Sequence, residues 1–185
     1  MIKIFNFLRA RFGKFINQEQ WLEDHIKAGL KIGKDCEIQP GLIVDHSHCW
    51  LIEIGDNVTI APYVYLLAHD ASTKKILGHS KLGKVILKKG FFIGARAIIM
   101  PGITIGENSI VAAGSVVSKS VDNNVVVGGN PAKFIMTLDV FIEKNKTRMK
   151  TSKIYDESWL CQNGISTEMK NKMSIDLENQ IGYIT

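Results

Sequence analysis

The sequence predicts an all-β solenoid with helical segments at its ends, and three features of the chain indicate this fold class. Aliphatic residues recur at every sixth position through the middle of the chain, two segments interrupt this spacing, and neither end continues it. We expect an N-terminal helical segment over 1–29 and a solenoid over 30–128, with a looped-out segment at 68–84. A C-terminal extension over 129–185 follows, in which we expect one or two helices and a frayed end.

The six-residue spacing distinguishes strand from helix. Six is a multiple of the two-residue strand period, so residues at this interval point to one side of an extended chain. On an α-helix, at about 100° per residue, the same step spreads them over three faces. The spacing therefore predicts short strands joined at sharp corners and stacked coil upon coil. The residues that keep it are Ile32, Ile38, Val44, Ile54, Ile60, Leu66, Leu87, Ile93, Ile99, Ile105, Val111 and Val117.

The N-terminal segment has an apolar stripe, including Phe5, Leu8 and Phe12, that predicts a helix. Its first sixteen residues carry four positive charges and no negative charge. Two interpretations stay open: residues 1–16 touch the inner membrane surface, or the helix packs on the solenoid or a neighbouring subunit. Because the charges interrupt the apolar residues, the segment lacks a signal-peptide core, and we expect a cytoplasmic protein.

Two interruptions of the repeat are candidate functional elements. The step from Val44 to Ile54 is ten residues, and the step from Leu66 to Leu87 is 21. A regular solenoid has no structural need for such insertions, so we expect them to serve the function. The glycine, serine and lysine content of the longer one, 68–84, predicts an exposed loop.

His69 is the candidate catalytic base among the five histidines. It stands where the repeat gives way to the long loop, and an imidazole there can take a proton from a hydroxyl group. From the residues alone, a loop histidine that only hydrogen-bonds to its neighbours is an open alternative.

The composition and charge of the chain indicate which classes of molecule it is expected to bind. A hydrophobic content of 45% and a charged content of 22% are typical of a globular domain. The net charge of +5 suits an anionic ligand, but no recognition helix or RNA-binding pattern accompanies it, and we expect no nucleic-acid partner. Three cysteines without a CxxC pair indicate neither a disulfide framework nor a zinc site.

Three stretches resemble the hexapeptide-repeat acyltransferases, in particular the branch that O-acetylates maltose, galactosides and polysaccharides. They are IGDNVTIAPYVYLLAHDAS (54–72), FIGARAIIMPGITIGENSIVAAGSVVSKSV (92–121) and GGNPAKFI (128–135). The resemblance implies a left-handed parallel β-helix, and a homotrimer with active sites between neighbouring subunits. It also implies acetyl-CoA as co-substrate, no required metal, and a carbohydrate hydroxyl, on a cell-surface polysaccharide or its sugar precursor, as acceptor.

The resemblance also implies roles for single residues near the loop. His69 falls on the family's catalytic base. Asp45, in the shorter interruption, falls on an acidic position that contacts the acceptor sugar, although a loop-capping aspartate explains it almost as well. Asp70 either orients His69 or binds the acceptor, and orientation would require a turn, because adjacent residues of an extended chain point opposite ways.

The coenzyme contacts implied by the resemblance run from an aromatic residue past small residues to basic ones. Small residues let the pantetheine arm approach the backbone, although corner geometry alone also explains them. Some relatives carry serine at the position of Ala95, so here only a backbone N–H is left to bind the oxyanion. The implied contacts are Phe92, Ala95, Ala113, Gly114, Ser118, Lys119 and Lys133.

Three alternatives remain at this point. The chain is an N-acetyltransferase of an amino sugar, a non-catalytic hexapeptide-repeat subunit, or a metal enzyme like the γ-class carbonic anhydrases, which share this fold. The last class needs three histidines placed across subunits, two of them five residues apart. The intervals here, two from His46 to His48 and ten from His69 to His79, do not match.

Overall fold

The computed structural model of the chain describes residues 22–185. The predictions for residues 1–16, including contact with a membrane, lie outside these residues. A helix at Leu22–Lys27 is followed by Gly29, whose φ of +108° ends it in a conformation that glycine adopts without strain. Within the described residues, no helix combines the length and apolar character that crossing a membrane requires.

From Lys31 onward the chain winds into a coil whose turns visit three parallel sheets in a fixed order. The first sheet contains Lys31–Ile32, Ile52–Ile54, Val85–Leu87 and Thr104–Ile105. The second contains Glu37–Ile38, Thr59–Ile60, Phe92–Ile93, Ile110–Val111 and Val125–Gly128. The third contains Ile43–Val44, Tyr65–Leu66, Ile98–Ile99 and Val116–Val117. The predicted solenoid of short stacked strands is therefore confirmed.

The core of the coil contains the residues of the six-residue series, together with residues two positions before them, such as Val58, Val64 and Ile103. From Ile54 to Val117, every member of that series is at most 1% exposed, as the spacing predicts. Burying an aliphatic side chain of this size contributes about 1.5–3 kcal/mol, so each turn adds several such contributions. The neighbours of these residues along each strand point outward and leave the faces of the coil free for contacts.

One corner of each turn repeats the same backbone conformation. Between the first and second sheets, one residue per turn takes a positive φ, which glycine, asparagine and aspartate tolerate best. These residues are Asp35, Asn57, Gly90, Asn108 and Asn124. The repeated corner keeps the strands of successive turns in register.

Both interruptions of the repeat leave the coil at one corner, between the third and first sheets. The shorter forms a 3₁₀ segment at His46–Leu51. The longer pairs His69–Asp70 antiparallel with Lys81–Leu82. Between these strands lie a 3₁₀ turn at Ala71–Thr73 and a helical turn at Lys74–Leu77. The loop therefore has its own hydrogen-bonded structure.

The coil ends in a reversal of chain direction. After Val125–Gly128 and the cis peptide bond Asn130–Pro131, the strand Lys133–Thr137 returns antiparallel along the same sheet. Because this strand pairs with the last turn, the first compact unit extends to Leu138. It thus continues beyond residue 128, where the repeat ends.

The second unit, 139–185, contains most of the helix Leu138–Met149 and the helix Thr167–Asp176. Two 3₁₀ turns, Glu157–Trp159 and Cys161–Asn163, lie between them. The expected frayed end is wrong, since Tyr183–Ile184 pairs in parallel with Ile154–Tyr155. Two-residue strands carry no detectable periodicity, so the sequence gives no signal for this pairing.

Candidate active site

Stacking of two successive turns places an aspartate beside the predicted base. Val44 and Leu66 pair in the third sheet, and Asp45 follows Val44 at the point where the first interruption begins. The backbone N–H of Asp45 donates to the Leu66 carbonyl at 2.9 Å. The Ala68 N–H donates to Asp45 Oδ2 at 3.0 Å, and His69 Nδ1 lies 2.5 Å from the same oxygen. Asp45 and His69, 24 residues apart, thus form one hydrogen-bonded pair.

The charge of Asp45 is set by opposing effects. Burial of its side chain, which is 2% exposed, by itself raises the pKa of the carboxyl. The hydrogen bond and charge of His69, together with the Ala68 N–H, outweigh this effect and hold the pKa below its ordinary value. Asp45 is therefore a carboxylate at neutral pH.

The carboxylate determines which nitrogen of His69 is available for chemistry. A carboxylate only accepts hydrogen bonds, so Nδ1 of His69 carries the hydrogen that it donates to Asp45. In a neutral imidazole the other nitrogen, Nε2, is then an acceptor. The side chain of His69 is 39% exposed, so the ring is accessible from one side. This arrangement suits a general base.

A second imidazole, that of His48, lies on the other side of Asp45. Its Nδ1 is 3.8 Å from Asp45 Oδ1, which is too long for a hydrogen bond. Its ring centroid is 5.2 Å from that of His69 and 5.5 Å from the ring of Trp50. Among the described residues, this buried Nδ1 has no hydrogen-bond partner.

The three side chains of Asp45, His48 and His69 form a cluster that the sequence did not predict. One ligand atom of each lies within 4.8 Å of the other two, so the cluster is able to hold a metal ion. Intervals along the chain do not reveal it, because the residues come from different turns. A usable signal was present: both interruptions begin just after paired residues of the third sheet, Val44 and Leu66.

Asp70 does not orient His69. Its carboxylate lies 2.6 Å from Lys81 Nζ and accepts a hydrogen bond from the Ser72 N–H at 2.8 Å. The hydrogen bond from Lys81, followed by those from Ser72, lowers the pKa of Asp70 to about 2. The physical reason is that His69 and Asp70 are consecutive in a strand and point to opposite sides. A contact of Asp70 with an acceptor stays a prediction.

One group of predicted coenzyme contacts lies on the second sheet and at the corner that follows it. Phe92 is 42% exposed on that sheet. Ala95, Ala113 and Gly114 occupy the corner on successive turns, where the Gly114 N–H donates to the Ala95 carbonyl at 2.8 Å. Apart from Gly114 and its two neighbours along the chain, no atom of the described residues lies within 4 Å of the position that a Cβ on Gly114 would take. The N–H of Ala95 forms no hydrogen bond with another described residue.

A second group lies at the end of the coil. Ser118, Lys119 and Lys133 line a groove of about 380 Å³, together with Pro131 and Phe134. Neither lysine forms an ion pair within residues 22–185, so both ammonium groups are available to an anion. The three residues therefore share one surface, and their contact with the adenosine end of the coenzyme stays a prediction.

The chain is similar in sequence to a known repeat family and to several bacterial proteins. The family model for the bacterial transferase hexapeptide (six repeats) matches residues 84–119. YvoF of Bacillus subtilis (strain 168), an acetyltransferase candidate by name, is 31% identical over 74% of this chain and 77% of its own length. Protein CapG of Staphylococcus aureus is 40% identical over 66% of this chain and 74% of its own length.

One further relative has a name that states its activity, and another similar protein has a solved structure. The galactoside O-acetyltransferase of Escherichia coli (strain K12) is 31% identical over 67% of this chain and 64% of its own length. The crystal structure of a maltose O-acetyltransferase from Clostridium difficile 630 is 29% identical over 62% of this chain and 72% of that chain, with a TM-score of 0.49. The repeat, the stacked coil and the similarity to YvoF show that the chain belongs to the hexapeptide-repeat acyltransferases. It is an acyltransferase, which removes the alternative of a non-catalytic subunit.

Proposed function

We propose that the chain transfers an acetyl group from acetyl-CoA to a carbohydrate hydroxyl, on a cell-surface polysaccharide or its sugar precursor. The observation that carries this proposal is the 2.5 Å contact between Asp45 and His69 at the base of the long loop. The name of the galactoside O-acetyltransferase supports a sugar hydroxyl as acceptor. The exposed lysines of the terminal groove support a phosphorylated donor such as acetyl-CoA.

The transfer needs one base and one leaving group. His69 Nε2 takes the proton of the acceptor hydroxyl while that oxygen attacks the thioester carbonyl carbon. The carbon–sulfur bond of the tetrahedral intermediate then breaks. The imidazolium returns its proton to the departing sulfur, so the products are an acetyl ester and free CoA. No covalent enzyme intermediate is required.

Asp45 acts in this mechanism as a positioning residue and not as a contact for the sugar. Its side chain is almost fully buried, and one of its oxygens is occupied by His69 and Ala68. It holds Nδ1–H in place and stabilises the positive charge that His69 acquires when it removes the proton. The contact with the acceptor that the family resemblance implied for Asp45 is replaced by this role.

The positions of the remaining residues favour a site shared between two chains. His69 lies at the corner between the third and first sheets, whereas Ala95, Ala113 and Gly114 lie at the corner between the second and third sheets. Within one chain, these corners are separated by the width of the third sheet. We therefore propose a homotrimer of left-handed coils in which the Ala95 N–H of a neighbour binds the oxyanion opposite His69.

An amino sugar is the second acceptor class, since the same base can remove a proton from an amine. An acceptor panel separates the two classes, because each sugar can be offered with a hydroxyl or an amino group at the same carbon. Release of CoA, followed through its free thiol, gives the rate. Transfer confined to the amino sugars would exclude the O-acetyltransferase assignment.

His69→Ala is the direct test of the proposed base. Loss of a general base should lower acetyl transfer about 100- to 10,000-fold. Binding of acetyl-CoA, measured as an increase in Tm, should persist. His79→Ala is the matched control, because His79 lies on the same loop and, within residues 22–185, its Nδ1 hydrogen-bonds to the Leu77 carbonyl alone. Near-normal turnover of His69→Ala would remove His69 from the mechanism.

Subunit mixing tests the shared site. Gly114→Trp should block the pantetheine arm, and His69→Ala should lack the base, so each homotrimer should be inactive. After joint refolding in equal amounts, about one quarter of the sites in a cyclic assembly should combine an intact His69 with an intact Gly114 from the neighbour. Recovery of about 25% of wild-type activity is expected. No recovery, with mixed trimers shown by mass spectrometry, would place the whole site in one chain.

A further inference from the structure

His48 has no task in the proposed transfer, although its position is closely defined. Its Nδ1 is buried without a hydrogen-bond partner among the described residues, and Asp45 Oδ1 lies 3.8 Å from it. A buried polar nitrogen without a partner carries a free-energy cost of about 1–3 kcal/mol. A ligand that accepts the lone pair of this nitrogen would remove the cost.

We propose that Asp45, His48 and His69 bind a divalent ion of the Zn²⁺ and Co²⁺ class, and that the bound ion inhibits acetyl transfer. The binding part of this inference stands on the cluster itself. The inhibition rests on the proposed function of His69.

The donor set selects the class of ion. Two imidazoles and one carboxylate suit Zn²⁺, Co²⁺ and Ni²⁺, whereas Mg²⁺ and Ca²⁺ prefer oxygen ligands. Three protein ligands leave a fourth position for water or another small ligand. The partial exposure of His48 and His69, at 28% and 39% of their side chains, gives the ion a route of entry.

Metal binding would move the three ligand atoms by different amounts. The ligand atoms of His48 and His69 lie within 4.8 Å of each other and would approach by up to about 1.5 Å, whereas the two separations from Asp45 change by less. With metal–ligand distances of about 2.0–2.1 Å, two ligand atoms of a tetrahedral site are about 3.3–3.4 Å apart. The Asp45–His48 separation of 3.8 Å would close by about half an ångström, and the Asp45–His69 separation of 2.5 Å would open by somewhat less than one. Rotation of the partly exposed His69 ring supplies the second movement.

Occupancy would remove the base by changing its tautomer. In the metal-free pair, Nδ1 of His69 carries the hydrogen and Nε2 accepts a proton. A metal ion on Nδ1 takes the lone pair of that nitrogen, so the single hydrogen of the neutral ring must reside on Nε2. Nε2 then has no lone pair for the acceptor hydroxyl. The ion and the substrate proton therefore compete for the same ring.

The test uses the untagged full chain, treated with a chelator and then dialysed. Co²⁺ is the probe for binding, because its visible absorption reports tetrahedral nitrogen and oxygen ligands independently of activity. The variant is His48→Phe, which keeps the ring contact with Trp50 and removes both nitrogens. The control is His46→Phe, since His46 is exposed and outside the cluster. His48→Gln replaces His48→Phe if the latter does not fold.

We expect one Co²⁺ to bind per chain in the wild type, and Zn²⁺ to increase its Tm. The affinity for Co²⁺ should fall at least about tenfold in His48→Phe but not in His46→Phe. Zn²⁺ should reduce wild-type turnover, and each variant's rate is divided by its own metal-free rate. His48→Phe should lose most of this inhibition.

Three results would overturn the inference: no Co²⁺ spectrum at millimolar metal, equal affinity in the wild type and His48→Phe, or binding that leaves turnover unchanged. The result is separable from the proposed function. Absence of transfer in the metal-free enzyme with every acceptor would sink the proposed function, while the Co²⁺ spectrum would still decide whether the site exists.

Discussion

Replacement of Asp45 by asparagine separates orientation from charge in the proposed active site. Both hydrogen bonds of Asp45, from the Ala68 N–H and from His69 Nδ1, end on a single oxygen, Oδ2. An asparagine that places its amide oxygen there keeps both bonds. Its NH₂ group then occupies the Oδ1 position on the side of His48. Asp45→Asn therefore preserves the tautomer of His69 and removes only the negative charge.

The size of the effect follows from the lost charge. A hydrogen bond to a charged group is worth about 1.5–3 kcal/mol, and one between neutral groups about 0.5–1.5 kcal/mol. The difference, about 1–2 kcal/mol, acts on the imidazolium formed during transfer and corresponds to a rate loss of about 5- to 30-fold. Asp45→Ala also removes both hydrogen bonds and leaves the buried Ala68 N–H unpaired. Its turnover should approach that of His69→Ala, and its free energy of unfolding should fall by about 1–3 kcal/mol.

The assay is release of CoA at saturating acceptor, with kcat and KM for acetyl-CoA determined separately. The charge acts on the transition state, so kcat should fall while KM for acetyl-CoA stays within about twofold. A loss in Asp45→Asn as large as in Asp45→Ala would mean that orientation, and not charge, carries the role. Wild-type turnover in both variants would refute the assignment of Asp45 altogether.

Two further predictions concern the terminal groove and the loop. Lys119→Ala and Lys133→Ala should each raise KM for acetyl-CoA about 3- to 30-fold through the loss of charged contacts. KM for acetyl-pantetheine, which lacks the adenosine phosphates, should stay unchanged. Equal effects on both donors would contradict phosphate binding by these lysines. The pKa of Asp70 lies at about 2, below its ordinary value of 3.8. Its ion pair therefore stabilises the loop above pH 3.8 and is lost as the pH falls through about 2. The Asp70 carboxyl carbon should titrate by NMR with a midpoint near 2, and a midpoint near 3.8 would show that the pair is absent in solution.

The coil was predictable because burial in a solenoid repeats with the chain. Each aliphatic residue of the six-residue series occupies the same buried environment in its turn. The requirement for an aliphatic side chain at that position therefore recurs along the sequence. From Ile54 to Val117 every residue that the spacing selects is buried. Other buried residues of the same range, such as Val58, Phe91 and Ile103, lie outside the series. The pairing of Ile154–Tyr155 with Tyr183–Ile184 was not predictable, since it occurs once and depends on contacts between distant residues.

Of the two hydrogen-bonded side chains of the site, only that of His69 could be identified as a candidate from the residues alone. His69 is visible in the sequence because it marks the start of the long loop. Its partner was sought at the adjacent Asp70, but hydrogen bonding across a β-helix joins residues one full turn apart. Asp45 and Ala68 meet because Val44 pairs with Leu66, which is a register between turns and not a local interval. Counting residues from the same strand position in successive turns would have indicated the pair.

The two interruptions of the repeat also explain why the candidate active-site residues lie where the six-residue spacing is broken. In a regular turn the corner residues serve mainly to stack one turn on the next, and many of their backbone groups bond to the adjacent turn. An insertion supplies residues that are not needed for stacking. A single insertion, however, forms a loop whose side chains have no second insertion beside them to contact. Here the shorter insertion lies one turn before the longer and leaves from the same corner, so the buried carboxylate of Asp45 and the half-buried ring of His48 contact His69 at the start of the long loop. Shortening the segment His46–Leu51 to a normal corner would therefore disable the site while leaving the long loop and its histidine in the chain, and Cys49 is the fully buried core residue that this change would remove.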